Sequence, residues 1–150
     1  MNKEKKNLAE SVLHRLKNQA KSTHRRTDEL LRYYAIERFL YRLSLSQHSD
    51  KFFLKEGLMF KAWAISSHRA TLDIDLLGRT SNSIQNLKEI INDISKSEVV
   101  DDGILYEITA LKLTEMQVSG EYHGLRALFN ANMHSAKIPI LTKSDSSAPA

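Results

Sequence analysis

Thr71-Leu72-Asp73-Ile74-Asp75-Leu76-Leu77-Gly78 is the stretch on which the reading of this chain turns. Apolar and polar residues alternate at its centre, the period of a strand with one buried face, and Gly78 stops the run. Residues two apart in a strand share a face, with Cα atoms roughly 6.5 to 7 Å apart. Asp73 and Asp75 are therefore expected to project together, with Leu72, Ile74 and Leu76 turned the other way into a core. Two carboxylates on one face repel unless water screens them or a cation sits between them. Magnesium suits the pair: it takes hard oxygen ligands from one or two carboxylates and fills its other positions with water and phosphates. A calcium EF-hand loop beginning at Asp73 would need an oxygen ligand at its fifth position and a glutamate at its twelfth. Leu77 and Ile84 stand there, which excludes it. A paired-carboxylate glycosidase stays open, as does a plain strand with two solvated acids.

Upstream, Phe52-Phe53-Leu54 reads as a short strand, Lys55-Glu56-Gly57 as a turn, and Leu58 to Ala64 as a short helix. A glycine turn entering a helix can present backbone N–H groups to a phosphate. Arg69 follows in a polar loop just before the strand. Downstream, Asn82 and Gln85 read as the N-cap pair of a helix whose buried stripe is Leu87, Ile90, Ile91 and Ile94. Asp101-Asp102-Gly103 is a turn signal. Ile104 to Ile108, Leu111 to Met116 and Leu125 to Asn130 read as strands. At the other end, Leu8, Val12, Leu16 and Ala20 recur at helical spacing, which predicts a helix over Asn7 to Ala20. Thr27 is expected to cap a second helix, with Asp28 and Glu29 in its first turn and an apolar series reaching Leu43. Its aromatic residues Tyr33, Tyr34, Phe39 and Tyr41 read as core.

At 150 residues the chain is long enough for one domain with a true core. No run approaches the roughly 20 apolar residues that cross a bilayer, and no signal-peptide core follows Met1 to Lys6. The expected location is cytoplasmic, without membrane attachment. The absence of cysteine excludes a disulfide scaffold, thiolate zinc sites and a cysteine nucleophile. The six histidines, His14, His24, His48, His68, His123 and His134, show no ligand spacing. Charge is uneven: residues 1–26 carry a net of +6 against +4 for the whole chain. A basic leading segment suits a polyanion such as RNA, and equally a solvated helix face.

Several separate pieces occur in a recognisable order. They are Tyr34-Ala35-Ile36-Glu37-Arg38-Phe39-Leu40-Tyr41-Arg42-Leu43, Phe53-Leu54-Lys55, Arg69 to Gly78, Asp102-Gly103-Ile104, and Tyr122-His123-Gly124-Leu125-Arg126. Together, over roughly Leu8 to Pro139, they resemble the AbiEii/AbiGii toxin family, nucleotidyltransferase-like proteins of bacterial toxin–antitoxin and phage-abortive-infection systems. The resemblance implies an α/β (α+β) fold: a polymerase-β-type nucleotidyltransferase core with a small mixed sheet, preceded by two helices. It implies magnesium-dependent transfer of a nucleotide from an NTP to an acceptor such as tRNA, and a cognate antitoxin partner. Asp73 and Asp75 would be the catalytic, metal-binding pair; Lys55, Gly57 and Arg69 would sit by the phosphates. Two departures stand out. Glu56 occupies the place of a second glycine, and the family's next strand bears a third metal-binding aspartate and leads into a further domain. Here Thr142 to Ser147 is polar, and Asp145 is given no such role. The expected organisation is a basic helix and connector over 1–26, a partial, C-terminally truncated nucleotidyltransferase domain over 27–140, and a disordered tail over 141–150. Impaired transfer follows from that expectation, with a non-catalytic RNA- or partner-binding chain as the alternative.

Overall fold

Three helices cover one face of a five-stranded sheet in a computed structural model that describes residues 3–54, 73–78, 83–118 and 122–146. Helix α1 spans Lys3–Thr23 and buries Ala9, Val12, Leu13 and Ala20. These residues recur every three or four positions, so they form one stripe. Helix α2, Thr27–Leu45, buries Leu30, Leu31, Ala35, Ile36, Phe39 and Leu43. Arg26, rather than Thr27, is its N-cap, and no side-chain hydrogen bond caps it. Asp28 and Glu29 still occupy the first turn, where carboxylates suit the positive end of the helix dipole.

Helix α3, Ile84–Ser95, opens on Ser83, whose hydroxyl accepts from the Asn86 backbone N–H at 3.1 Å. The cap is thus one residue beyond the expected Asn82. Its stripe of Leu87, Ile90, Ile91 and Ile94 is buried as the spacing predicts. Beyond α2 the chain is tied to α3 where His48 Nε2 lies 2.9 Å from an Asp93 carboxylate oxygen.

The strands are β1 Phe52–Leu54, β2 Asp73–Gly78, β3 Leu105–Val118, β4 Tyr122–Met133 and β5 Ala136–Ser146, in the spatial order β1-β2-β5-β4-β3. Neighbours run antiparallel except β2 and β5, which are parallel. The architecture is α+β. The two strands expected over Ile104 to Met116 are one, β3, with a register shift between Glu107 and Lys112. Such a shift inserts extra residues into one strand and bends it without ending it.

The disordered tail expected from 141 onward is corrected. Residues 141–146 are the second half of β5, paired with β2 on one side and β4 on the other. Their polar composition argues for a coil. Two flanking strands satisfy their backbone groups, and that tertiary pairing overrides local preference. Strand β5 also begins well before that point, from a two-residue turn at His134-Ser135 in which His134 has φ 53. A left-handed residue there matches the right-handed twist of the strands it joins.

The core lies between the helices and one sheet face. On β4, Leu125, Ala127, Phe129, Ala131 and Met133 are buried, and on β5 Ile138, Ile140 and Thr142. Their alternates Arg126, Leu128, Lys137 and Pro139 are exposed. Among the described residues the sheet therefore has one face covered by helices and one open face, the alternation common in antiparallel sheets.

Candidate functional site

Asp73 and Asp75 are alternate residues of β2, in register with Leu141 and Lys143 of β5. Residues paired across a ladder share a face. The half-buried Leu141 and Lys143 alternate with buried Thr142 and so belong to the open face. The register thus assigns both aspartate positions to the open face and Ile74, opposite Thr142, to the core face. The strand read from sequence is present, beginning at Asp73 and ending at Gly78. Lys55, Gly57 and Arg69, the expected phosphate-side residues, lie outside the described residues.

Asp145, taken from sequence to lie outside any strand, is in β5 opposite Leu77 of β2 and Gly124 of β4. It occupies the open-face series of β5, one register step beyond Lys143. That leaves it diagonal to Asp75, at roughly 7 to 8 Å. The residue directly beside Asp75 is a lysine. A protonated lysine has three donors and no acceptor, so it cannot ligate a cation. Among the described residues, no third carboxylate stands in register with the positions of Asp73 and Asp75.

A second polar cluster lies on the covered side of the sheet. Arg42 makes a two-pronged pair with Asp102, Nη1 to Oδ2 at 2.7 Å and Nη2 to Oδ1 at 3.0 Å. Arg38 Nε donates to the same carboxylate at 2.8 Å. The Asp102 carboxylate also accepts from the Ile104 backbone N–H, while its carbonyl accepts from the Tyr34 hydroxyl at 2.7 Å. Arg42 and Asp102 are both nearly sealed from solvent, with side chains 6% and 7% exposed. Burial opposes ionisation of Asp102, but the hydrogen bonds from Arg42 and Arg38 outweigh it and hold its carboxyl below the usual range. The Arg42 guanidinium also lies 4.9 Å from the ring centre of Tyr106, whose phenol is pushed up by burial. Tyr106 in turn donates to the Ala35 carbonyl at 2.7 Å and packs with Phe39 and Phe129.

Gly103 allows the turn to enter this space. Its φ is 81, and a Cβ there would stand 3.0 Å from the Ala9 backbone Cα on α1. The cluster therefore locks α1, α2 and the start of β3 together. An open groove of about 770 Å³ runs beside it, lined in part by Arg42, Asn92, Ser97, Asp102 and Tyr106. This groove lies at the β3 edge, on the far side of β5 and β4 from β2, so it is separate from the aspartate pair.

Sequence reasoning gave Arg38, Arg42 and Asp102 no chemistry. The available signal was two arginines four apart on the apolar side of α2, together with one acid in a glycine turn. Tyr33 and Phe39 are core, each 1% exposed, as expected; Tyr41 is the exception, 42% exposed under the Arg38 guanidinium.

One protein-family model matches residues 38–143, well over half of the chain, and is described as Nucleotidyl transferase AbiEii toxin, Type IV TA system. That span runs from Arg38 on α2 to Lys143 on β5 and takes in Asp73 and Asp75. No curated protein matches the chain.

Proposed function

The chain belongs to the AbiEii nucleotidyl transferase toxin family of type IV toxin–antitoxin systems, and we propose from that premise that the open sheet face around Asp73 and Asp75 binds a nucleoside triphosphate with magnesium. The supporting observation is the register of β2 against β5, in which the positions of Asp73 and Asp75 pair with Leu141 and Lys143 and not with buried Thr142. Magnesium bound there would neutralise phosphate charge. Lys55, Gly57 and Arg69 are the proposed phosphate-side residues, and Arg126, exposed on β4 in register with Lys143, adds a cation to the same face. The proposed acceptor is tRNA or another RNA, and the proposed protein partner is a cognate antitoxin. Within the polymerase-β-type scheme, transfer is proposed to be impaired, because in-line displacement uses two ions clamping the attacking and leaving oxygens and the in-register donor set fits one. The proposed setting is the cytoplasm; among the described residues, no helix is long and apolar enough to cross a membrane.

The test is equilibrium binding of a fluorescent ATP analogue with and without magnesium, followed by incubation with labelled NTPs and total tRNA. Asp73→Asn and Asp75→Asn should each weaken magnesium-dependent binding at least tenfold, and labelled tRNA should stay at background. Binding untouched by both substitutions would remove the site from this face. Transfer that the substitutions abolish would show a complete active centre.

Basic α1 favours a second reading, an RNA-binding chain. Arg15, Lys17 and Lys21 are exposed along it, and a row of cations on a helix attracts a polyanion whether or not transfer occurs.

A further inference from the structure

The sheet ends at one side on the short β1, Phe52–Leu54, and at the other on the long β3, Leu105–Val118. Among the described residues, no strand pairs with the outer edge of β3. Such an edge presents a row of free N–H and C=O groups, a template for another strand. Two of its side chains are placed in an unexpected way. Glu107 is the register partner of Asn130 and Lys112 that of Leu128, alternate residues of β4, so both lie on the open face. In an unbroken strand residues 107 and 112 would face opposite sides; the extra residues at 108–111 return Lys112 to the side of Glu107. Lys112 is exposed and makes no ion pair among the described residues. Glu107 engages one carboxylate oxygen, which accepts from Asn132 Nδ2 at 3.4 Å.

We propose that two copies of this chain join their β3 edges into one continuous antiparallel sheet, with Glu107 of each copy facing Lys112 of the other. A two-fold axis normal to the sheet reverses strand direction, as antiparallel pairing requires, and keeps the open face on the same side in both copies. Residues paired across the new ladder must share a face, and the irregular segment must not throw the ladder out of step. An axis between Thr109 and Ala110 meets both conditions. Each copy's residues 108–111 then oppose their own counterpart, while Leu105, Tyr106 and Glu107 meet Thr114, Leu113 and Lys112 of the other copy. Thr109 and Ala110, both exposed, are small enough to let the edges approach at the axis. Charge complementarity selects this register. Directly opposed residues hold their Cβ atoms about 4.5–5.5 Å apart, within reach of a glutamate–lysine pair, and the symmetry forms that pair on both sides of the axis. Axes placed within 112–118 leave Glu107 without a partner, and one centred on Glu115 sets two glutamates face to face. In the proposed register Glu115, the remaining charge of the strand, falls beyond the paired arms, beside Ile104 of the other copy. Leu105, 61% exposed in the single chain, gains cover from Thr114. Strand β3 lies at the far end of the sheet from β2, so this pairing is independent of the nucleotide reading.

Sedimentation velocity on the full chain, run over a wide range of concentrations, reads the association. The wild type should shift reversibly from monomer to dimer as concentration rises, and less readily in high salt. Glu107→Lys and Lys112→Glu each set like charges against one another on both sides of the axis, and each should weaken dimerisation by about tenfold or more. An equal mixture of these two variants should dimerise within about threefold of wild type, because each supplies the charge the other lacks. The chain carrying Glu107→Lys together with Lys112→Glu keeps the pair with its ends exchanged and should do the same. If one single variant fails to fold, that double reversal and the other single variant decide. A wild type that stays monomeric throughout, or a dimer that neither reversal weakens, would overturn the pairing. So would a loss on single reversal that neither the mixture nor the double reversal restores.

Discussion

A carboxylate gripped by two arginines under a helix makes this protein sensitive to acid at one residue. The carboxyl of Asp102 is held below its usual range, chiefly by Arg42 and Arg38 working against burial. A folded-state pKa that is depressed contributes stability above the unfolded value, near 3.9, and that stability is lost as pH falls through the folded one. Stability should therefore drop below about pH 4. In Asp102→Asn the drop should be shallower, from a lower starting stability, as urea unfolding across that range would show. At neutral pH, Asp102→Ala leaves Arg42 buried without its carboxylate and should cost about 3–5 kcal/mol. Gly103→Ala tests the adjoining turn, since φ 81 and the nearness of Ala9 both oppose a side chain. A loss of at least about 1–2 kcal/mol is expected; an unchanged midpoint would mean the turn moves freely. Thr142 points the other way. Its Oγ1 is buried and finds no hydrogen-bond partner among the described residues. Thr142→Val removes that stranded hydroxyl at nearly constant shape, so the unfolding midpoint should hold or rise, by up to about 1–2 kcal/mol in stability.

Among the elements, β5 carries the most consequence for its length. Every pair of the β2–β5 ladder uses residues 141–146, from Asp73 with Leu141 to Gly78 with Ser146. A chain shortened by residues 141–150 should lose that ladder entirely and release β1 and β2 from the sheet. Hydrogen exchange would report it as lost protection over 73–78, with β3 and β4 still protected. Protection retained at 73–78 would contradict the ladder. The same strand shows where sequence reading stops. Helix α3 and the aspartate strand were legible because apolar period sets them locally: Leu87, Ile90, Ile91 and Ile94 for one, Leu72, Ile74 and Leu76 alternating with the aspartates for the other. Residues 142–146, Thr-Lys-Ser-Asp-Ser, have no such period. They are a strand because β2 and β4 leave a slot between them, a fact about distant residues. Lys143 was invisible as a neighbour of Asp75 for that reason, since register is a property of two strands. The Arg38–Arg42–Asp102 lock was half legible, because its arginine spacing is local while its aspartate lies 60 residues from Arg42.

The molecule as a whole is electrically lopsided, with its positive excess concentrated in residues 1–26. If RNA binding uses α1, its affinity should fall steeply with salt, each phosphate neutralised contributing a slope of about −0.7 for single strands. Charge reversal at Lys17 and Lys21 should lower that slope without altering the nucleotide binding proposed for the sheet. Affinity that ignores both salt and reversal would detach RNA from this helix.

Chain order bears on the open face in time as well as in space. The aspartates at 73 and 75 meet partners at 141 and 143, and that parallel pairing is the joint between the β1–β2 pair and the β3–β4–β5 meander. Closing so long a loop is entropically slower than zipping a hairpin, and parallel pairing gains less per residue once closed. The meander should therefore form first and the acidic strand dock last. During synthesis, a ribosome that has released residues up to Met133 has made both carboxylates and their helices but not the strand beside them. The charged face is assembled only when β5 emerges and its final ladder closes.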